Sequence, residues 1–340
     1  MRIVFLCNSF WPNIGGAELV CKDIVDTLSQ KHDVTVITQP TNSRSNSKYN
    51  IIELTAVTSY SLMSGLRGEL KTLSPDIIIS FGYGKSFSDV SSRFAKRNKI
   101  PFVFMPCGDF HTNKTALSKR AYGLLIGRTC FRNATKIITA TEWEKQHWIK
   151  KYNSPKEKFS VIPYNLPKDF TKYKKSTNFK FKNTKYFLYI GRTGPNKRLD
   201  LLVDAFTYFK FPDIDLVIAG KGTDAKHIKQ YVGDNKNTHI VGQISEDEKK
   251  ELIDNAHAVI FPSSYESFGM VLLEAAAFKT PYLMSNIPPF KELSPNNQYI
   301  FENNLLEIGS QMKRALNSPK FIDIIVPNFK HELNKVIESL

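Results

Sequence analysis

Two glutamates, Glu266 and Glu274, bracket the seven-residue run Ser267-Phe268-Gly269-Met270-Val271-Leu272-Leu273. The first lies just beyond the apolar run Val259–Phe261, and the second lies inside a run of helical character. Ionised carboxylates only accept hydrogen bonds, so acids in these places suit sugar and ribose hydroxyls. Gly269 stands where that helix would begin, and the backbone N–H groups around Gly269 to Val271 can cradle an anion there. Glu274 can also be a residue closing a solvated helical face, but in the run Met270–Ala276 an acid is costly to bury without a partner.

A second group follows the apolar run Tyr186–Ile190: Gly191, Arg192 and Lys197, ahead of a helical pattern from Leu199 to Phe206. Two spaced cations at a strand end suit a diphosphate, arginine by directional pairing and lysine as a mobile charge. A basic surface loop would look the same. The third group, Gly15, Gly16 and Glu18, follows the first apolar run and opens an amphipathic stretch. Paired glycines let a ligand approach the backbone at a helix start, as they also let a chain turn tightly. The spacing is not that of a dinucleotide fingerprint.

These groups need elements to hold them, and the dominant pattern is alternation of short apolar runs with helix-length amphipathic stretches. That is the signature of parallel sheets covered by helices. Apolar runs at Ile3–Leu6, Val34–Ile37, Ile77–Ile79, Phe102–Phe104, Ile137–Ile138 and Val161–Ile162 mark a first α/β domain over residues 1–167. Residues 168–185 hold seven lysines against one acid, Asp169, and read as a solvated basic linker. The alternation resumes over 186–304 with Tyr186–Ile190, Leu216–Ile218, His239–Val241, Val259–Phe261 and Tyr282–Met284. Residues 305–340 read as helices broken near Ser318-Pro319, packing either on the second domain or back on the first. Ligands of such sheets bind at the carboxyl ends of strands, where the three groups lie.

The 340 residues allow two domains, and 41% hydrophobic content with 23% charged residues is that of a globular chain. Four cysteines, at 7, 21, 107 and 130, lack the paired spacing of a zinc site or a dense disulfide framework and suit a reducing, cytoplasmic setting. No stretch is long and apolar enough to span a membrane, and no leader pattern is evident. A net charge of +15 favours anionic partners, among them phosphate-bearing substrates and acidic lipid. Nucleic acid rests on that charge alone and is not expected.

The Glu266–Glu274 run around Phe268-Gly269 resembles the signature of retaining glycosyltransferases of family four, which have the GT-B fold. Gly191-Arg192 with Lys197, Gly15-Gly16-Ala17-Glu18, Leu216–Gly222 and Pro262-Ser263 are similar to further elements of that family in the same order, so the resemblance spans residues 1 to about 292. It implies two Rossmann-like αβα domains facing each other across a cleft, a nucleotide diphosphate sugar as donor and a glycan or lipid-linked acceptor. It further implies Arg192 and Lys197 on the diphosphate, Glu266 on the transferred sugar, Glu274 on the ribose, the backbone of Phe268 to Val271 over phosphates and sugar, and Gly15 and Gly16 against the donor. Glu18 and Asp109 would lie on the acceptor side.

The resemblance implies front-face transfer with retention, for surface polysaccharide or lipid-linked glycan, with the departing phosphate helping to deprotonate the acceptor. Cations in place of a metal, and the lack of an Asp-x-Asp motif near the donor groups, predict catalysis without metal or other cofactor. Where many members have Pro-His-Gly, this chain has Pro106-Cys107-Gly108 followed by Asp109-Phe110-His111. His111 is the expected occupant of the sugar-side position, with Cys107 and Asp109 as competitors. Lys279 stands where many relatives have glycine. Rival readings are a sugar-nucleotide epimerase of the same fold and a non-catalytic subunit that kept the donor site. Between Lys114 and Lys158 there are 11 lysines and arginines against three acids, and Leu117, Ala121, Leu124 and Leu125 fall at helical spacing. This pattern suits either an interfacial helix on an anionic membrane surface or a core face with basic flanks.

Overall fold

The structure is a computed structural model that describes residues 1–13, 15–41, 48–55, 65–108, 122–324 and 328–340. By contacts the chain divides into two compact units: residues 1–165 with 326–340, and residues 166–325.

The first unit is built on strands β1 (Arg2–Leu6), β2 (Asp33–Thr38), β3 (Asn50–Glu53), β4 (Ile77–Phe81), β5 (Phe102–Met105), β6 (Lys136–Thr139) and β7 (Phe159–Val161). They form one parallel sheet in the order β3-β2-β1-β4-β5-β6-β7. Its inner strands are apolar at nearly every position because helices cover both faces, so neither set of alternating side chains meets water. The helices are α1 (Gly16–Leu28), α2 (Leu66–Leu73), α3 (Ser86–Asn98), α4 (Arg128–Asn133) and α5 (Glu142–Tyr152); a π-turn, Gly123–Gly127, runs into α4. On one face, Phe87, Phe104, Phe131 and Trp148 make a buried aromatic core.

The second unit has β8 (Tyr186–Ile190), β9 (Asp215–Ala219), β10 (Thr238–Gly242), β11 (Ala258–Phe261), β12 (Tyr282–Ser285) and β13 (Ile300–Phe301), parallel, in the order β10-β9-β8-β11-β12-β13. Its helices are α6 (Leu199–Phe209), α7 (Lys226–Val232), α8 (Glu246–Asn255), α9 (Met270–Ala277), α10 (Pro288–Leu293) and α11 (Leu305–Asn317). Ser245 caps α8 in a reciprocal box with Glu248, fixing where that helix begins. The last helix, α12 (Phe329–Glu338), belongs to the first unit: Phe329 packs edge-on against Tyr164, and Lys31 pairs with Glu338 at 2.8 Å.

Both sheets reverse their winding once, between β1 and β4 and between β8 and β11. Loops leaving the carboxyl ends of such a strand pair diverge to opposite faces and leave a crevice, which is where open α/β sheets take ligands.

The structure corrects the reading of the basic segment 168–185. It is fastened to the second unit rather than solvated along its length: Phe170 and Phe181 are buried, and the Ser176 amide donates to both oxygens of buried Glu251 at 3.1 Å. Four aromatics at irregular spacing anchor it, while the lysines keep their ammonium groups near water. Strand β3 and the two-residue β13 escape the alternation pattern, the first because its apolar core is only the pair Ile51-Ile52 and the second because it is too short. Lys279 adopts φ +56°, left-handed backbone that glycine takes at no steric cost, so its place in a turn position explains why a glycine would suit it.

Candidate functional site

The loop after β8 carries Gly191, Arg192 and Lys197; the loop after β11 carries Glu266 and Phe268 and ends at Gly269. They therefore leave the two strands that flank the switch point of the second sheet. The two loops are tied together. Ser264 N–H donates to the Asn196 carbonyl at 2.8 Å, and the Asn196 amide donates to the Tyr265 carbonyl at 3.2 Å. Lys197 Nζ pairs with Glu266 Oε1, which also accepts the Ser263 hydroxyl at 2.9 Å. Arg192 is exposed, while its carbonyl accepts the Tyr189 hydroxyl at 3.2 Å. The arrangement is a carboxylate already oriented by two donors, beside one exposed and one half-buried cation.

Gly191 needs a bare neighbour as well as its own freedom. An added Cβ at Gly220, where φ is +126°, would stand 2.1 Å from the Gly191 carbonyl oxygen. The ends of β8 and β9 are thus in backbone contact, and the loop bearing Arg192 rests on Gly220. Gly269, at φ +104°, precedes α9, and an added Cβ there would stand 2.5 Å from the Phe290 ring. Phe268 is buried behind it, and no side chain caps the first turn of α9, so the N–H groups of Met270 and Val271 start a helix with no acceptor from a side-chain cap.

Glu274 lies one turn further along α9 and is buried, its side chain 2% exposed. The partner that an acid in this apolar run requires is Lys249 of α8, at 2.9 Å from Oε1. Burial holds the Glu274 carboxyl above its ordinary range, although Lys249 draws it the other way. Burial disfavours the Lys249 charge too, but Glu274 and Glu246 outweigh it and hold the ammonium ionised.

In the first unit, Gly15 caps α1 with extended backbone, and Gly16 is the first helical residue. Glu18, in the first turn, folds back toward the cap: an added Cβ on Gly15 would stand 2.4 Å from Glu18 Oε2, an oxygen that is buried without a hydrogen-bond partner among the described residues. The loop after β5 holds Cys107 at φ +52° and Gly108, whose N–H donates to Glu144 Oε1 at 2.6 Å. Glu144 is fully buried and also accepts Ala140 N–H at 3.1 Å and the Trp148 indole at 3.3 Å. Burial drives its carboxyl upward against those three bonds. Asp109 and His111 lie outside the described residues, as do Leu117 and Ala121 and the side chains of Leu124 and Leu125.

Lys249, Glu144, Asn196 and Ser263 went unassigned in the sequence. Lys249, Glu144 and Asn196 act through partners far along the chain or through backbone, and no spacing announces such pairs. Ser263 alone had a signal, as part of the family-like Pro262-Ser263 three residues ahead of Glu266, though no role was given to it.

Residues 170–330 match the family described as Glycosyl transferases group 1, and residues 14–164 match Glycosyltransferase Family 4. The O-antigen chain mannosyltransferase RfbU of Salmonella typhimurium is 23% identical over 82% of this chain and 75% of its own length. The GPI3 subunit of the phosphatidylinositol N-acetylglucosaminyltransferase of Saccharomyces cerevisiae is 22% identical over 99% of this chain and 80% of its own. Among solved structures, Anabaena HepE in complex with UDP and glucose superposes with a TM-score of 0.78 at 16% identity, covering 100% of both chains. One family profile falls on each unit and between them they account for most of the sequence, so the chain belongs to the group 1 glycosyltransferases of family four, retaining enzymes with two Rossmann-like domains in the GT-B fold.

Proposed function

We propose that this transferase holds the diphosphate of a nucleotide sugar between the loops after β8 and β11, and passes its hexosyl group to a hydroxyl of a glycan or lipid-linked acceptor. The observation carrying this reading is the pairing of those loops at the sheet's switch point, which puts an oriented acid, two cations and an open helix start on adjoining backbone. Arg192 and Lys197 take the phosphate charge, and the first-turn amides of α9 add to it. Glu266 accepts hydroxyls of the transferred sugar, and Glu274 accepts ribose hydroxyls. The acceptor oxygen bonds to the anomeric carbon on the face from which the donor phosphate oxygen leaves. The acceptor proton passes to that oxygen, and configuration is retained. With two cations on the leaving group, no metal ion is required for charge stabilisation.

In the first unit, the loop after β5 serves the acceptor side. His111 is proposed to meet the transferred sugar or the acceptor hydroxyl, with Asp109 and Glu18 as acceptor-side groups and Gly15 and Gly16 as donor-binding glycines. The names of the two curated relatives support a product in surface polysaccharide or lipid-linked glycan. No helix among the described residues is long and apolar enough to cross a membrane. Peripheral attachment is supported instead by exposed Arg128, Arg132, Lys150, Lys151 and Lys156 in the first unit. Flotation with anionic liposomes is expected at low salt and lost at high salt; binding indifferent to salt would remove this part of the reading.

The central test is transfer from a panel of nucleotide diphosphate sugars. Arg192→Ala and Glu266→Ala are each expected to lower turnover by at least about 10²-fold, the scale for losing one transition-state donor or orienting group, with unchanged circular dichroism. Near-normal turnover in either would overturn the site, and tight donor binding without any transfer would make the chain a donor-binding subunit.

A further inference from the structure

Lys249 is a buried cation with two carboxylate partners on two helices. Its ammonium lies 2.9 Å from Glu274 Oε1 on α9 and 2.8 Å from Glu246 Oε2 on its own helix, α8. The ring of Phe170, brought by the basic segment 168–185, lies 5.8 Å from the same nitrogen. The side chain of Lys249 is 14% exposed and that of Glu274 only 2%. An ammonium in this position cannot swing to solvent without leaving two acids unpaired.

The second oxygen of Glu274 is treated differently. Oε2 is buried, and no hydrogen-bond donor reaches it among the described residues. A buried carboxylate oxygen without a donor is among the costliest unsatisfied groups a protein can keep. Had Glu274 been built only to pair with Lys249, a one-oxygen contact that strands the other oxygen would be a poor solution, because a carboxylate has capacity on both. The pair looks instead like one fixed half and one offered half.

We propose that Lys249 is a positioning residue for donor binding: it pins Oε1 of Glu274 and places a positive charge beside the carboxylate, so that Oε2 is offered as an acceptor to a hydroxyl of the bound nucleotide. The proposal rests on the reading that Glu274 meets the nucleotide, and extends it to a residue that touches no substrate. Were Glu274 to take up a proton, one oxygen would become a donor and the acceptor would be weakened. Lys249 opposes that by supplying positive charge where burial favours the neutral acid. Among the described residues the charged groups acting most strongly on Glu274 are Lys249, Glu246 and Lys250, all from α8. Glu246 opposes ionisation of Glu274 and Lys250 favours it. Lys250 is turned toward the basic segment, its ammonium 3.1 Å from the Lys172 carbonyl, so it does not replace Lys249 at Oε1.

The experiment is calorimetric titration of the full chain with UDP, GDP and ADP, following the tightest of the three from about pH 6 to about pH 9. Wild type and Lys249→Arg are expected to bind alike, with little pH dependence. Lys249→Met, which keeps length and apolar stem, is expected to bind more weakly at low pH by about tenfold for each pH unit below the raised Glu274 pKa, down to the level of Glu274→Gln, and to recover as pH rises. Lys249→Met/Glu274→Gln is expected to match Glu274→Gln at every pH. A Lys249→Met affinity equal to wild type across the range, while Glu274→Gln is weak, would overturn the role of Lys249. If Glu274→Gln binds as wild type does, it is the nucleotide reading of Glu274 that fails. A uniform, pH-independent loss in Lys249→Met, not restored in Lys249→Arg, would mean that the lysine only supports the fold.

Discussion

Gly220→Ala puts a methyl where the structure has backbone. The new Cβ would stand 2.1 Å from the Gly191 oxygen, 2.7 Å from its carbon and 3.1 Å from its nitrogen. A carbon prefers a neighbour at about 3.5 Å, so the Gly191 peptide must retreat by more than about 1 Å, and no side-chain rotamer can absorb that. The alanine must also hold φ near +126°, a region that costs roughly 1–3 kcal/mol without glycine. Overpacking adds roughly 1–3 kcal/mol, so the sum is about 2–6 kcal/mol, a large part of the 5–15 kcal/mol typical of a domain. Retreat would also loosen Gly191 N–H from the Ala219 carbonyl and Thr193 N–H from the Lys221 carbonyl, displacing the loop that carries Arg192. The assay separates the units optically. All three tryptophans, Trp11, Trp143 and Trp148, lie in the first unit. In urea, the circular-dichroism transition of the second unit is expected to move to lower denaturant while tryptophan fluorescence holds its midpoint, and donor affinity is expected to fall. Gly68→Ala is the control: it lies inside α2 with nothing within 4 Å of the new methyl, and should stabilise by about 0.5–1 kcal/mol. A Gly220→Ala stability within about 0.5 kcal/mol of wild type would refute the reasoning.

Two further predictions concern buried acids of the first unit. Burial raises the Asp89 carboxyl to about 6, against bonds from the Tyr122 hydroxyl at 2.9 Å and the Cys130 thiol at 3.6 Å. The folded state therefore binds the extra proton between about pH 4 and about pH 6, and stability falls as pH rises through that window; relative to Asp89→Asn, wild type should gain about 3 kcal/mol on acidification, and parallel stability curves for the two would contradict it. Glu144→Gln replaces one accepting oxygen by an N–H₂ group that faces backbone or indole donors, costing about 1–3 kcal/mol. Its check is faster hydrogen exchange at Gly108 together with a shifted Trp148 emission; unchanged protection at Gly108 would show that Glu144 does not hold the loop after β5.

Much of the fold was legible because parallel strands buried on both faces must be apolar throughout, and most of the eleven apolar runs are of that kind; half-buried β7 and β10 stood out by their apolar residues alone. The strands that escaped are β3, whose apolar core is only the pair Ile51-Ile52, and the two-residue β13. The segment 168–185 misled for a different reason. Its lysines dominate the composition, but Phe170, Tyr173, Phe179 and Phe181 decide its packing, and their irregular spacing matches no regular element. The loops after β8 and β11 were legible by position, since glycine, cations and acid all follow apolar strand runs. Their mutual ties were not: Asn196 to Tyr265 and Lys197 to Glu266 each join residues 69 positions apart.

Glu274 shows where sequence reasoning stops and why. The cost of burying a charge demands a partner, and that much follows from the apolar residues around it. The demand cannot say which of 47 lysines and arginines answers it. Lys249 does so because the capping box at Ser245 sets the start of α8, and that start fixes which residues turn toward α9. A shift of α8 by one residue would rotate Lys249 by about 100° around the helix and carry its ammonium away from Oε1. The charge state of a carboxylate on α9 is thus decided by a serine 29 positions upstream, through a helix register that neither residue reveals alone.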